Sequence, residues 1–188
     1  MKNKRDYFVS VVMVLALVVA MSACAKKNVP TQPGFSGEAP QYGATGPGGG
    51  AGMDDARWRE LGITSEAEKK EFLDKARAFE NQDIYFDYDA YTLSDPAKKV
   101  LDEKIAFLKR YSKVQVTVEG HCDERGTTEY NLALGERRAH ACTQYIAASG
   151  LQTMKLNSVS FGKERPVATG HDEASFAKNR RAHFVLKY

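Results

Sequence analysis

A chain of 188 residues with 43% hydrophobic side chains holds enough apolar material for one domain plus appendages. Its net charge of +3 overstates its basicity, because Lys2, Lys4, Arg5 and Asp6 carry a net +2 near the N-terminus. The remaining Lys and Arg are scattered among Asp and Glu, which excludes the basic stripe of a nucleic-acid-binding protein. Residues 1–23 read as a leader: a basic start, then an apolar run from Phe8 to Met21 that is short for a membrane span and ends in small residues. Residues 24–64 follow as a tether. GATGPGGGAG at 43–52 cannot bury a core, and the prolines and glycines concentrate in 25–53.

Ser65 with Glu68 forms a capping-box pattern, and Phe72, Leu73, Ala76 and Phe79 share one helical side. That spacing predicts a helix over 66–79, a linking element spanning 65–79 with its cap. A domain over 80–188 follows. Residues 84–86 form a first strand. Ser94 and Pro96 open a helix to about Arg110, with Val100, Leu101, Ile105 and Leu108 inward. Valines at 114, 116 and 118 alternate with Gln115, Thr117 and Glu119, the period of a half-buried strand over 114–120. A helix over 129–148 is stopped by Gly150, and strands at 157–161 and 182–187 flank a loop with a helical turn near 173–178. Two βα units followed by further strands give an α+β sandwich, a mixed sheet covered by helices.

The stretch GHCDERGTTEYNLALGERRA, 120–139, carries the chemistry. Leu134, Ala141, Cys142, Tyr145 and Ala148 share one side of the helix, and Arg138 falls within that stripe. A guanidinium on an inward stripe needs an anion. Asp123, at the strand's end, is the nearest in sequence. Such a pair suits a zwitterion like an amino-acid head group; an internal salt bridge without ligand is the plain alternative. His121 and Cys122 invite a thiol-nucleophile or zinc reading, but adjacent strand residues point to opposite faces and the usual ligand spacings are missing. No enzyme, metal site or cofactor is expected. Cys122 and Cys142 form either a disulfide or two small buried thiols, and the second is the simpler expectation.

These motifs resemble the OmpA-like domain of the peptidoglycan-associated lipoprotein family of Gram-negative bacteria. The likeness continues in IYFDYDAYTL (84–93) and SVSFGKERPVATGHDEASFAKNRRA (158–182), and covers about residues 80–188. The resemblance implies a βαβαββ-type sandwich with a four-stranded mixed sheet. It also implies non-covalent peptidoglycan binding through the diaminopimelate of the stem peptide, whose free end carries an amine and a carboxylate. By the same resemblance Asp123 receives the ammonium and Arg138 the carboxylate, while Asp87, Asn131 and Arg180 complete the site. Asp89 is the weaker candidate beside Asp87, and a helix-capping role is the plain alternative for Asn131. Thr is common where this chain has Cys122, a departure that removes a hydroxyl donor. Met21-Ser22-Ala23-Cys24 resembles a lipobox, which implies a Cys24 acylated with chains such as palmitate and anchored in the outer membrane; an ordinary secretory signal is the alternative. A TolB-like periplasmic β-propeller is the implied protein partner, within a Tol-Pal system serving envelope integrity and cell division. An OmpA-like wall anchor outside that system is the alternative.

Overall fold

The computed structural model describes residues 53–151 and 156–188. The leader, Cys24 and the tether up to residue 52 lie outside the described residues.

A short helix, α1 (Asp55–Glu60), opens the described chain, capped by the Asp54 carboxylate on the Arg57 amide. Its C-terminal end explains why it stays put. Gly62 adopts a left-handed φ of 76°. Its amide donates to Arg59 O and that of Ile63 to Trp58 O, the paired bonds of a Schellman end. Trp58, Leu61 and Ile63 are buried in the main core. The tether expected over 24–64 is therefore too long at its C-terminal end: residues 53–64 belong to the domain. The expectation failed because a six-residue helix in a polar stretch has too little periodicity to register.

Helix α2 (Glu66–Asn81) begins with the reciprocal Ser65–Glu68 capping box. Backbone hydrogen bonds from Thr64 and Ser65 pull the Glu68 carboxyl down to about 2. The helix is more than a link. Phe72 is fully buried and meets Trp58, Tyr111 and Tyr188 edge-on, with centroids 5.7, 4.8 and 4.8 Å away. Burying an aromatic ring of this kind stabilises by roughly 2–3 kcal/mol.

Strand β1 (Ile84–Tyr85) leads to helix α3 (Asp95–Arg110), where Ser94 caps the Ala97 amide and Pro96 occupies the first turn. Its inward side carries Ala97, Leu101, Ile105 and Leu108, and also Lys104. Strand β2 (Gln115–His121), helix α4 (Thr128–Ala148) and strand β3 (Leu156–Gly162) form the next unit, with β2 and β3 parallel. Helix α5 (Glu173–Asn179) then precedes strand β4 (Arg181–Lys187). The sheet order is β1-β4-β2-β3, with β4 antiparallel to both neighbours. The fold is the expected α+β sandwich with a mixed four-stranded sheet.

Close approach of α4 to the sheet fixes the site. A Cβ on Gly120 would collide with the Gly135 carbonyl, and one on Gly135 with the Ser160 hydroxyl. With glycine at both positions the helix backbone lies directly against β2 and β3. Arg138, one turn further along α4, is thereby brought beneath the end of β2.

Candidate ligand-binding site

Where β2 ends, the chain turns through residues 122–127 before α4 begins, and a cleft of about 420 Å³ opens there. Tyr88, Asp89, Cys122, Asp123, Arg125 and Arg138 are among the residues that line it.

Arg138 is 1% exposed and held on three sides by backbone. Its Nε donates to Ala90 O at 2.8 Å, Nη1 to His121 O at 2.8 Å and Nη2 to Asp87 O at 3.2 Å. Burial pulls its pKa below the ordinary value, yet a guanidinium stays protonated. Carbonyl oxygens solvate the cation without neutralising it. The Cys122 thiol lies against the same guanidinium, and Asp123 and Asp89 are near enough for their charges to act on it, so an anion reaching the cleft meets a positive charge fixed in place.

Asp123, 5% exposed, sits two residues beyond β2. Its ion pairs run to Arg125 (2.6 Å) and Arg180 (3.5 Å), not to Arg138. Burial alone would raise its pKa, but hydrogen bonds from the Arg125 side chain and amide outweigh burial and hold it below the usual value. The internal Asp123–Arg138 salt bridge, the plain alternative in sequence, is thus not the pairing formed.

Asn131 is buried and donates from Nδ2 to Arg125 O at 2.8 Å, pinning the loop above the cleft. The helix cap is Thr127, whose hydroxyl accepts from the Tyr130 amide, so Asn131 is no cap. Arg180 donates from Nε to Phe86 O at 3.0 Å and bridges Asp123 to Glu173. Asp87 is exposed and borders a neighbouring cleft with Arg180. Only its carbonyl serves Arg138. Asp89 lines the main cleft instead, at a φ of 54° rare for a residue with a side chain. It accepts a hydrogen bond from the Tyr130 hydroxyl. The cleft therefore gathers Asp123, Asn131 and Arg138 directly, with Arg180 behind Asp123 and Asp87 outside. Sequence reasoning missed Arg125, Tyr88 and Tyr130. The only available signal for Arg125 was its position two residues after a buried acid.

Cys122 and Cys142 are free and buried. The Cys122 thiol donates to Asn131 O at 3.3 Å, and burial pushes the Cys142 thiol up to about 12. His121 stacks on Phe161 with centroids 5.6 Å apart, and its Nε2 lies 3.6 Å from Glu119. The imidazole and the thiol thus have different partners. Among the described residues no group of three or more His, Cys, Asp or Glu is placed to hold a metal ion.

Residues 85–180 match the OmpA family. The chain belongs to the OmpA family. Three curated relatives each carry the name peptidoglycan-associated lipoprotein. That of Pasteurella multocida is 48% identical over 105 residues, covering 56% of this chain and 69% of its own. That of Pseudomonas aeruginosa is 46% identical over 138 residues, with 73% and 80% covered. That of Agrobacterium fabrum is 35% identical over 176 residues, with 93% and 86% covered. A crystal structure of the Burkholderia pseudomallei peptidoglycan-associated lipoprotein superposes with a TM-score of 0.55 at 43% identity, covering 56% of this chain and 90% of that one. The C-terminal domain of Helicobacter pylori MotB, at 16% identity and a TM-score of 0.53, over 57% of this chain and 84% of its own, shares the fold alone. The resemblance read from 84–93, 120–139 and 158–182 is borne out. So is the non-enzymatic class, since these relatives are named for an association and not for a reaction.

Proposed function

We propose that the protein binds peptidoglycan non-covalently through the diaminopimelate of its stem peptide, and so ties the outer membrane to the wall as a lipoprotein of the Tol-Pal system. The observation that carries this reading is Arg138: a buried guanidinium fixed by three backbone carbonyls at a cleft that also holds Asp89 and Asp123. Separated cation and anions at one cleft match a free amine and carboxylate on one carbon. Asp123, Asn131 and Arg138 contact or frame that head group, Arg180 steadies Asp123, and Asp87 acts through its carbonyl. The relatives' name supports association with peptidoglycan. Sedimentation of the detergent-solubilised full chain with purified sacculi tests the reading. Wild type is expected in the pellet, released by excess free meso-diaminopimelate; binding indifferent to diaminopimelate would overturn it.

The anchor and partner follow from the lipobox-like residues 21–24 and the family likeness. Acylation at Cys24 is tested by mass spectrometry of the membrane-bound protein, where an unmodified Cys24 would end the idea. A TolB-like propeller is expected to compete with peptidoglycan for the same cleft, which pull-down with and without sacculi measures.

A further inference from the structure

Four charged side chains beside the cleft close a ring. Arg125 pairs with Asp123 (2.6 Å), Asp123 with Arg180 (3.5 Å), Arg180 with Glu173 (2.8 Å) and Glu173 with Arg125 (3.5 Å). Two acids and two bases cancel, so the anion expected to receive an ammonium is already satisfied.

The two arginines do not hold equally fast. Arg180 is buried and bonded to the Phe86 carbonyl. Arg125 has a side chain 34% exposed, on a loop pinned through its carbonyl by Asn131. It grips Asp123 with Nε at 3.2 Å and Nη2 at 2.6 Å, the geometry a carboxylate offers to a fork of donors. Its guanidinium also lies over two rings, 4.1 Å from Tyr88 and 4.5 Å from Phe176. The rings and Glu173 can still take part of its charge if the grip on Asp123 is released, which lowers the cost of letting go.

Resting on the diaminopimelate reading above, we propose that Arg125 is an internal competitor for the ligand's amine: it occupies Asp123 in the empty site and must be displaced before an ammonium can bind there. Arg125 then sets specificity. A weak or misplaced cation cannot replace a two-point guanidinium contact, whereas a ligand whose carboxylate is simultaneously held by Arg138 can. The amine is admitted only as one half of a zwitterion.

The test is calorimetric titration of the full chain, in detergent, with the tripeptide L-Ala-γ-D-Glu-meso-diaminopimelate and with the same peptide acetylated on its side-chain amine. Arg125→Gln, checked for an unchanged melting profile, is expected to bind the free-amine peptide about fivefold tighter than wild type, the scale of a partly exposed ion pair removed from competition. Its affinity for the acetylated peptide should equal that of wild type, since that peptide makes no claim on Asp123. Arg125→Lys should fall between the two. A purely structural role for Arg125 would shift both peptides together. Weaker binding of the free-amine peptide by Arg125→Gln would make Arg125 a ligand contact and overturn the proposal while leaving the diaminopimelate reading intact. Failure of wild type and variant alike to bind the free-amine peptide would overturn both.

Discussion

The Lys104 ammonium points into the core, where it donates to the Phe79 carbonyl and lies 4.2 Å from the ring centroids of both Phe79 and Phe184. Burial dominates this group and lowers its pKa to about 7, against weaker opposing fields from Asp83, Cys142 and Glu80. The unfolded lysine titrates near 10.5. Between about 7 and 10.5 the unfolded chain therefore binds more protons than the folded one, and stability rises with pH across that window. Lys104→Met is expected to be more stable than wild type at pH 6, by about 1–3 kcal/mol, with the margin shrinking toward pH 10. Denaturant titrations at pH 6, 8 and 10 measure it, and a margin flat across pH would mean that the buried charge is not its source.

Arg138→Ala removes the cation from the cleft and strands the carbonyls of Ala90, His121 and Asp87. Loss of sacculus binding is expected, with a stability cost of about 1–3 kcal/mol for acceptors left without a donor. Arg138→Lys keeps the charge but cannot send three N–H groups in the directions these carbonyls require, so binding should fall there too. Co-sedimentation, read beside a melting curve, separates lost binding from lost fold. Wild-type pelleting by both variants would remove Arg138 from the site.

Trp58 tests the extended domain boundary. Its ring packs edge-on against Phe72, and Trp58→Ala should destabilise by about 3 kcal/mol through the cavity it leaves. Were residues 53–64 a solvated tether, the same change would be silent. Chemical denaturation distinguishes the two.

Deletion of residues 36–52, which composition alone marks as a tether, is expected to leave the affinity for purified peptidoglycan unchanged. If Cys24 carries the anchor proposed above, wall attachment in cells should weaken, because the domain would be held nearer to it. A substantial loss of affinity in the sedimentation assay would instead make this segment part of the binding surface.

Local chemistry was readable wherever one short pattern decided it. Ser65 with Glu68, Ser94 with Pro96, and the alternating valines of β2 each specify their element within a few residues, and the boundaries fall within about two residues of expectation. What could not be read depends on contacts distant in sequence. Lys104 occupies an inward position between Leu101 and Leu108, where the carbonyl of Phe79, 25 residues away in sequence, receives its ammonium, and nothing local to α3 marks that acceptor. Arg138 was legible as an inward-facing base and Asp123 as its candidate partner at the strand's end. That each would take other partners was not, because Arg138's three acceptors come from the loop after β1 and from the last residue of β2, brought together only in the fold. Asp89, passed over for Asp87, owes its place in the cleft to a left-handed backbone turn that the sequence YFDYD does not announce.

The position of β4 between β1 and β2 has a consequence for how the molecule comes into being. β1 finds its strand partner, and β2 the second of its two, in residues 181–187. A growing chain that has completed β3 can assemble helices and the β2–β3 pair, yet β1 has no strand partner and β2 an open edge. The sheet closes in one late, non-local step, from contacts about 60 to 100 residues apart, and such closures are slow. A polypeptide built this way lacks its closed sheet for as long as its last strand is missing, and commits to its shape only once the whole of it is available.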